Sequence, residues 1–251
     1  MTLERFFIEN PKVALGFSGG VDSSYLLYAG LLHGAKIKAY YVKTAFQPDF
    51  ELRDAYRLAE HLGTVITVIE LDVLARPEIT ENPSDRCYYC KSLIFGAIKE
   101  RALADGFTLL MDGCNASDDE TDRAGMKATG ELGVRSPLRE SGLTKAEIRR
   151  LSKEAGLFTW DKPAYACLAT RIQTGQEITE DLLRRVELAE TTLYDLGFSD
   201  LRVRVRGQDA MLQFSSSEHE RAWRSRVEIT RMLKPLFSCV SLDLQARPDY
   251  L

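Results

Sequence analysis

Short apolar runs alternate with helical patterns along the N-terminal part of the chain. Four runs are compact and mostly apolar, as strands buried in a parallel sheet are: residues 12–17, 36–43, 65–71 and 107–112. In four other segments apolar residues recur at helical spacing: residues 21–33, 49–62, 91–104 and 144–155. This alternation predicts βαβ units and an α/β fold with a doubly wound, mostly parallel sheet, which binds ligands at the carboxyl ends of its strands.

The pattern changes after about residue 175. Two helices and three strands are predicted there: helices 179–196 and 217–233, and strands 201–206, 210–214 and 237–244. These elements form a small α+β unit at the C-terminus. We therefore expect two domains, residues 1–172 and residues 173–251.

Composition narrows the class of protein. The formal net charge of -4 argues against a nucleic-acid partner, because dedicated nucleic-acid binders are usually basic. No apolar run approaches the length of a membrane helix, and the start of the chain lacks the pattern of a secretory signal. Five cysteines, an odd number, indicate free or catalytic thiols in a reducing compartment. We expect a cytoplasmic protein without a membrane partner.

The segment GFSGGVDSS, residues 16–24, follows the first predicted strand and opens the first predicted helix. Its first five letters fit the nucleophile elbow of serine hydrolases, but that elbow follows several strands and needs a histidine. The three histidines of this chain all lie in helical segments. In the second interpretation, Gly19 and Gly20 turn backbone N–H groups toward a phosphate, while Ser18 and Ser23 add hydroxyl donors. The segment is neither a Walker A loop nor a Rossmann loop.

The string SGGVDS, residues 18–23, resembles the SGGxDS signature of the PP-loop ATP pyrophosphatases. The resemblance implies the adenine nucleotide alpha hydrolase-like fold and a bound ATP. These enzymes cleave ATP between the α- and β-phosphates and transfer AMP to an oxygen of the substrate. The residues implied at the pyrophosphate end of ATP are Ser18, Gly19, Gly20, Asp22 and Ser23.

Four later segments narrow the resemblance: DRCYYCK at 85–91, DGCNASDD at 112–119, VRSPL at 134–138 and KPAYACLATRI at 162–172. In this order and spacing they resemble the LarE family of ATP-dependent sacrificial sulfur transferases, which mature the nickel-pincer nucleotide cofactor of lactate racemase. The resemblance implies that ATP adenylates a carboxylate of a pyridinium dicarboxylate mononucleotide. A cysteine of the enzyme then displaces AMP as a thioester. Its Cβ–S bond breaks, which leaves a thiocarboxylate on the product and dehydroalanine in the protein.

Cys167, within KPAYACLATRI, is the nucleophile and sulfur donor that the resemblance implies. From composition alone, a small buried thiol would be the commoner fate of a free cysteine. Lys162 and Arg171 lie near it in sequence and carry charges of the kind that lower a thiol pKa. The segment holds one cysteine rather than the trio of relatives that use an iron–sulfur cluster, so we expect the sacrificial, single-turnover mode.

Further residues are assigned to the nucleotide and its metal. The resemblance implies three more nucleotide contacts: Asn115, Arg135 and Lys162. Asp118 and Asp119 follow the fourth predicted strand, where carboxylates can hold Mg²⁺ against phosphates. An acidic surface loop accounts for these two residues equally well, so both interpretations stay open.

Arg202, Arg204 and Arg206 alternate along a predicted strand and therefore face one side of it. Three like charges on one face are unfavourable without an anion. A solvated outer face is the alternative for each arginine alone. With a phosphorylated nucleotide as substrate, we expect a phosphate cradle that Thr170 and Arg171 complete. Beside it, the QTG at 173–175 departs from the Pro-Tyr-Gly of the family, which leaves the local loop shape open.

Cys87 and Cys90 form a C-x-x-C pair, which fits half a zinc site or a redox pair. Zinc needs two more ligands, and the remaining cysteines are scattered singly, so simple packing is the main alternative. Cys114 stands where the family has threonine.

Three alternative functions are considered beside the sulfur transferase. A tRNA thiolase of the same superfamily should carry an RNA-binding appendage or a basic face, and the sequence has neither. An amidotransferase would need a glutaminase domain for which 251 residues leave no room. A nucleotide-binding regulator would bind ATP without chemistry and would survive loss of Cys167. The resemblance implies a small nucleotide substrate and a homo-oligomer, for which a hexamer is one candidate.

Overall fold

The computed structural model describes residues 1–118 and 123–248, and it divides the chain into two compact units. The first unit comprises Met1–Asp72 and Asp85–Lys162, and the second comprises Val73–Ser84 and Pro163–Leu251. The sequence pattern predicts a domain boundary after residue 172 instead. Cys167 therefore belongs to the second compact unit together with a short segment from earlier in the chain.

The described residues form eleven α-helices, a short 3-10 helix and seven strands. In chain order the helices are α1 (Leu3–Glu9), α2 (Val21–Leu32), α3 (Asp49–His61), α4 (Pro77–Thr80), α5 (Arg86–Ala104), α6 (Arg123–Glu131), α7 (Pro137–Glu140), α8 (Lys145–Glu154), α9 (Glu180–Asp195), α10 (Ser216–Arg224) and α11 (Arg226–Leu233). A short 3-10 helix occupies Leu168–Arg171. None of these helices combines the length and the apolar character needed to cross a bilayer.

A parallel sheet organises the first unit. Its strands are β1 (Lys12–Gly16), β2 (Lys36–Lys43), β3 (Ile66–Glu70) and β4 (Leu110–Met111), in the order β3-β2-β1-β4. All three pairings are parallel, which confirms the predicted α/β class. The carboxyl ends of β1 and β4, which are neighbours, lead into the two motif loops at residues 16–24 and 112–118.

Side chains of β1 alternate between two hydrophobic clusters. Val13 and Leu15 pack in one cluster with Met111, whereas Ala14 packs in the other with Tyr40. All five are buried. Because the strand is covered on both faces, its sequence is continuously apolar rather than alternating, which is why a parallel strand could be predicted from it.

A three-stranded sheet organises the second unit. Its strands are β5 (Leu201–Arg206), β6 (Asp209–Phe214) and β7 (Val240–Leu242), in that order. β5 and β6 form an antiparallel hairpin, and β7 runs parallel to β6. This arrangement confirms the predicted small α+β unit.

Four predicted elements differ clearly from the structure, among them the last strand, predicted over 237–244 and observed only at Val240–Leu242. The strand predicted over residues 107–112 shrinks to β4, because the backbone N–H of Phe107 still closes the end of α5 by bonding to the carbonyl of Ala102. The helix predicted over 91–104 begins at Arg86, so the C-x-x-C pair is helical. The helix predicted over 217–233 is interrupted at Ser225, which separates α10 from α11.

Candidate functional site

The loop between β1 and α2 is folded by two serine hydroxyls. Ser23 Oγ lies 3.1 Å from Ser18 Oγ and donates to the carbonyl of Gly20 at 3.2 Å. It also accepts from the backbone N–H of Ser18 at 3.3 Å. Gly19 has a φ of +73°, a backbone conformation that residues with a side chain rarely adopt, so the turn requires glycine. The hydroxyls therefore define the loop shape as well as offering donors.

The first turn of α2 has no side-chain cap. Its N-cap is Gly20, which cannot supply one. The amino terminus of a twelve-residue helix carries unsatisfied N–H groups and a partial positive charge, which together favour an anion. The geometry of this loop suits a phosphate group.

The loop after β4 packs against the turn of α2. Asp112 is buried, and its Oδ1 accepts from Ser136 Oγ at 2.8 Å and from the backbone N–H of Cys114 at 3.1 Å. Asn115 is fully buried, and its backbone and side-chain N–H groups donate to the two carboxylate oxygens of Asp118 at 2.8 and 3.0 Å. Asp118 thus closes its own loop from an exposed position. Asp119 lies outside the described residues.

Gly113 lies close to the backbone of the first turn of α2. A Cβ there would lie 3.0 Å from the backbone N of Ser23 and 3.3 Å from its Cα. We expect Gly113→Ala to push the first turn of α2 aside and to weaken ATP binding roughly 10-fold, a loss of about 1.4 kcal/mol. Gly96→Ala is the matched control, because no atom lies within 4 Å of its Cβ position. Equal ATP affinities of the two variants by calorimetry would show that the contact does not matter.

Asp22 is the buried acid of the SGGVDS string. Its Oδ2 forms an ion pair with Lys145 Nζ, while its Oδ1 is buried without a hydrogen-bond partner among the described residues. Burial raises the pKa of Asp22 above its usual value, Lys145 opposes that shift, and the charge of Asp118 adds to it. Lys145 also donates its backbone N–H to Ser117 Oγ at 3.0 Å, so it contacts both loops.

The sequence prediction missed Lys145. Its ammonium pairs with a residue 123 positions away, and no local spacing connects them. The usable signal is the start of the helix predicted over residues 144–155, because the capping box of Thr144 and Glu147 fixes Lys145 as the first residue of α8.

Arg135 and Lys162 already have acidic partners in the first unit. Arg135 forms a bidentate ion pair with Glu140 and stands over the ring of Phe6. Lys162 Nζ lies 2.7 Å from Asp54 Oδ2. A nucleotide contact by either cation would compete with these pairs, so both assignments stay predictions.

The Cys114 thiol lies in an environment that disfavours its thiolate form. Burial, with a further contribution from the neighbouring Asp112 carboxylate, raises the pKa of Cys114 to about 12. Because the thiolate is the nucleophile, we expect Cys114 to react with iodoacetamide at least about 100-fold more slowly than the exposed Cys239 near pH 8. Peptide mass spectrometry of a time course measures both rates, and comparable rates would contradict the assigned environment.

Cys87 and Cys90 lie in the first turns of α5, three residues apart and so on one helix face. The guanidinium of Arg86 is 3.9 Å from Cys87 Sγ. Within residues 1–118 and 123–248, no group of three or more His, Cys, Asp or Glu side chains is arranged to hold a metal ion. The zinc interpretation gains no support from this part of the chain.

Cys167 lies in the second unit as the N-cap residue, immediately before the 3-10 helix. It is half-buried, and its carbonyl oxygen accepts from the Thr170 backbone N–H at 3.0 Å and from Thr170 Oγ1 at 2.8 Å. Arg171 Nη1 approaches the same oxygen at 3.4 Å and the carbonyl of Ala166 at 2.7 Å. The backbone around Cys167 is therefore held by Thr170 and Arg171, which lie further along the same motif.

A buried ion pair anchors Arg171. Its side chain is 0% exposed and that of Glu190 is 1% exposed, with Nε and Oε1 2.8 Å apart. Glu190 also accepts from the backbone N–H of Val203 at 2.9 Å and from the hydroxyl of Tyr165 at 2.5 Å. Burial, with Glu190 next, raises the pKa of Tyr165 far above its usual value, so the phenol stays a donor.

The three arginines of β5 differ in exposure. Arg202 is buried, donating to the carbonyls of Leu201 and Ala164, and burial lowers its pKa. Arg204 is half-buried and donates to the Thr170 carbonyl and to Gln213 Oε1, whereas Arg206 is exposed. The sequence predicts a shared face but not this gradient.

A pocket of about 360 Å³ opens beside the 3-10 helix in the second unit. Its lining includes Thr170, Gln173, Arg204, Arg206 and Gln213. Arg171 borders the pocket, but its guanidinium points to Glu190 instead, and Arg202 is not among the lining residues. Five residues were expected at the substrate phosphate. Of these, the guanidinium-bearing Arg204 and Arg206 and the hydroxyl-bearing Thr170 line the pocket without being turned toward Glu190.

Comparisons with known proteins add relatives over most of the chain. No protein-family model matches it. It is 38% identical over 205 residues to an uncharacterized protein of Synechocystis sp., covering 80% of this chain and 76% of that protein. It is 32% identical over 246 residues to the pyridinium-3,5-bisthiocarboxylic acid mononucleotide synthase of Lactiplantibacillus plantarum, covering 97% of this chain and 89% of that protein. It is 27% identical over 192 residues to the tRNA-specific 2-thiouridylase MnmA of Thermotoga petrophila, covering 58% of this chain and 52% of that protein.

Proposed function

Because this chain belongs to the family of pyridinium-3,5-bisthiocarboxylic acid mononucleotide synthases, the LarE family, we propose that it transfers sulfur to a pyridinium dicarboxylate mononucleotide at the expense of ATP. The observation that carries the proposal is the similarity over 97% of the chain, which includes the single cysteine of the KPAYACLATRI segment. The enzyme is a sulfurtransferase of the PP-loop type, acting in nickel-pincer cofactor biosynthesis.

The first step is activation of a substrate carboxylate. A carboxylate is a poor electrophile, and transfer of AMP to its oxygen makes it a good one while pyrophosphate leaves. In our proposal the Gly19–Gly20 backbone and the uncapped start of α2 hold the pyrophosphate end of ATP, and Ser18 and Ser23 add donors. Lys145 is the nearest cation to Asp22 and supplies charge compensation when phosphates arrive.

One observation indicates that the region around Asp22 and Asp118 can hold Mg²⁺. Asp22 Oδ1 is a buried carboxylate oxygen without a hydrogen-bond partner among the described residues, and Asp118 lies near enough to raise the pKa of Asp22. Mg²⁺ bound with nucleotides commonly takes one or two protein carboxylates and completes its shell with phosphates and water. Asp22 and Asp118 would hold the ion, which would neutralise charge on the phosphates.

The second step uses Cys167. Its thiolate attacks the acyl-adenylate carbonyl, AMP leaves, and a thioester joins the substrate to Cys167. A Brønsted base, hydroxide or a carboxylate, then takes the Cα proton of Cys167. The Cβ–S electron pair departs with the sulfur, giving a thiocarboxylate and dehydroalanine. Each molecule of protein turns over once.

Arg204 and Arg206 form the phosphate-binding side of the substrate site in our proposal, whereas Thr170, which also lines the pocket, donates its hydroxyl proton to the Cys167 carbonyl. The two arginines line the pocket beside the cysteine segment, and paired guanidinium groups suit a phosphate. Arg171 and Arg202 instead hold backbone carbonyls of residues 164–167, so they shape the segment rather than contact the phosphate.

Substitution of the exposed arginine tests this assignment. We expect Arg206→Gln to raise the KM for the mononucleotide roughly 10-fold, the value of one charge-assisted hydrogen bond, without changing pyrophosphate release at saturation. Arg184→Gln removes the same charge from an exposed position on α9 and should leave the KM unchanged. Equal KM values for the two variants would remove Arg206 from the site.

A tRNA thiolase is the second candidate, since MnmA shares 27% identity with part of the chain. Purified protein is incubated with ATP, Mg²⁺ and either the mononucleotide or tRNA, and thiolated product and pyrophosphate are quantified. The proposal requires a thiocarboxylate from the mononucleotide and no gel shift with tRNA. Thiolated tRNA without thiocarboxylate would reverse the assignment. A homo-oligomer stays a prediction of the resemblance, and a cytoplasmic location stays a prediction of the composition.

A further inference from the structure

The carbonyl oxygen of Cys167 is unusually well supplied with donors. The Thr170 backbone N–H lies at 3.0 Å, Thr170 Oγ1 at 2.8 Å and Arg171 Nη1 at 3.4 Å. The first contact belongs to the 3-10 turn. The other two come from side chains, one of them a guanidinium that a buried carboxylate holds in place.

The direction of each proton follows from the chemistry of the groups. Arg171 Nη1 lies 2.9 Å from Thr170 Oγ1, and a guanidinium can only donate. Thr170 Oγ1 is therefore the acceptor in that contact, and its own proton is free to donate to the Cys167 carbonyl. A donor that itself accepts from a cation is polarised and donates more strongly. The relay runs from Arg171 through the Thr170 hydroxyl to the carbonyl oxygen of the reacting residue.

We propose that Thr170 and Arg171 form an oxyanion hole for the enolate of Cys167, and so catalyse the carbon–sulfur cleavage that leaves dehydroalanine. The inference rests on the proposed sacrificial mechanism and deepens it. It makes Thr170 and Arg171 catalytic residues because their donors touch the oxygen on which charge develops.

The electron count supports this role. When hydroxide or a carboxylate removes the Cα proton, the electron pair of the C–H bond delocalises onto the carbonyl oxygen of Cys167. The pair then returns to form the Cα–Cβ double bond as the Cβ–S bond breaks, and sulfur leaves with two electrons as the thiocarboxylate. Donors already aimed at that oxygen stabilise the developing charge without having to reorganise.

The contact to the hydroxyl also separates this role from simple turn geometry. The backbone N–H of Thr170 alone closes the turn, as it does in many short 3-10 segments. The buried Arg171–Glu190 pair is costly to maintain. Arg171 donates from Nε and Nη2 to Glu190, and from Nη1 to Thr170 Oγ1 and the carbonyls of Ala166 and Cys167. The arrangement directs positive charge at these two backbone carbonyls, and the carbonyl of Cys167 also receives the Thr170 hydroxyl.

The test bypasses ATP and substrate. Folded protein is cyanylated with 2-nitro-5-thiocyanatobenzoate, and elimination of thiocyanate to dehydroalanine is followed by peptide mass spectrometry at Cys167 and at the exposed Cys239, which serves as the internal reference. We expect the rate at Cys167 relative to Cys239 to fall about 10-fold to 100-fold in Thr170→Val, which removes one donor. Thr170→Ser keeps the hydroxyl and should restore the wild-type ratio. Equal ratios in the Val and Ser variants would overturn the proposal.

A wild-type measurement covers the case in which Thr170→Val does not fold. The same ratio is measured for cyanylated wild-type protein in buffer and in denaturing urea. The proposal predicts an excess at Cys167 of about 10-fold or more in the folded protein, which urea abolishes. A ratio that urea leaves unchanged would contradict it.

A turnover arm separates this inference from the proposed function. With ATP, Mg²⁺ and the mononucleotide, Thr170→Val should release pyrophosphate normally and accumulate the thioester at Cys167 before dehydroalanine appears. Rapid dehydroalanine in Thr170→Val would contradict the enolate role alone. Failure of the wild-type protein to form either species would instead contradict the sacrificial mechanism, while the cyanylation arm would still report on the oxyanion hole.

Discussion

Replacement of Cys167 by serine is expected to abolish thiocarboxylate formation, a fall of at least about 10³-fold, because serine offers no sulfur to transfer. Pyrophosphate release in the presence of substrate should persist, since the groups that we assign to ATP lie in the first unit and are untouched. Product is measured by mass spectrometry and pyrophosphate by a coupled assay. The expected signature is adenylation without sulfur transfer.

Cys239→Ser is the matched control for this variant. Cys239 is an exposed cysteine of the same unit, and its substitution should leave both readouts at wild-type values. Thiocarboxylate formed by Cys167→Ser would show that sulfur comes from another source and would remove Cys167 from the mechanism.

Glu190→Ala should strongly destabilise the second unit. It leaves the fully buried guanidinium of Arg171 without its counter-charge and removes the acceptor of Tyr165 and of the Val203 N–H. Breaking a buried ion pair by removing one partner costs about 3–5 kcal/mol of the free energy of unfolding. Denaturant unfolding, followed by circular dichroism, measures the difference.

Glu220→Ala provides the comparison with a solvated pair of the same residue types. Glu220 pairs with Arg224, and both side chains are 76% exposed. Because water and salt screen such pairs, this change should leave the unfolding transition essentially where it is. Similar losses in the two variants would show that burial of the Arg171–Glu190 pair does not strengthen the effect of its removal.

Local patterns predicted most of the fold. The start of α8 depends on a local capping box at Thr144, and the apolar pattern of β1 depends on burial of both sheet faces. A short segment of sequence therefore carries each of these elements. Gly19 likewise occupies the left-handed conformation that a phosphate-binding turn needs. These features are short-range or periodic, which is why composition and spacing reach them.

The buried charges could not be predicted in the same way. Glu190 falls on the apolar stripe of α9 with Val186 and Leu193, and a carboxylate on such a stripe was the available signal for a buried partner. Its partner Arg171 was assigned to the substrate instead, because sequence cannot tell an arginine that binds an anion from one that holds its own backbone. Only the tertiary contacts of Glu190 distinguish the two.

Long-range pairing also limited how much of the nucleotide site could be predicted from the sequence. The SGGVDS string indicates a phosphate loop, yet the cation beside Asp22 comes from α8, and no motif spacing connects the two. For Asp118 the sequence left a metal ligand and an acidic surface residue open, and in the structure its carboxylate closes the loop on Asn115. Closure of a loop by its own carboxylate is a property of loop geometry rather than of sequence pattern.

Intact-protein mass spectrometry after reaction with ATP, Mg²⁺ and the pyridinium dicarboxylate mononucleotide tests the central claim most directly. The account predicts a protein that has lost the mass of H₂S, with dehydroalanine mapped to position 167 by peptide analysis, in equal amount to the thiocarboxylate formed. Thiocarboxylate accompanied by an unmodified Cys167 would contradict it.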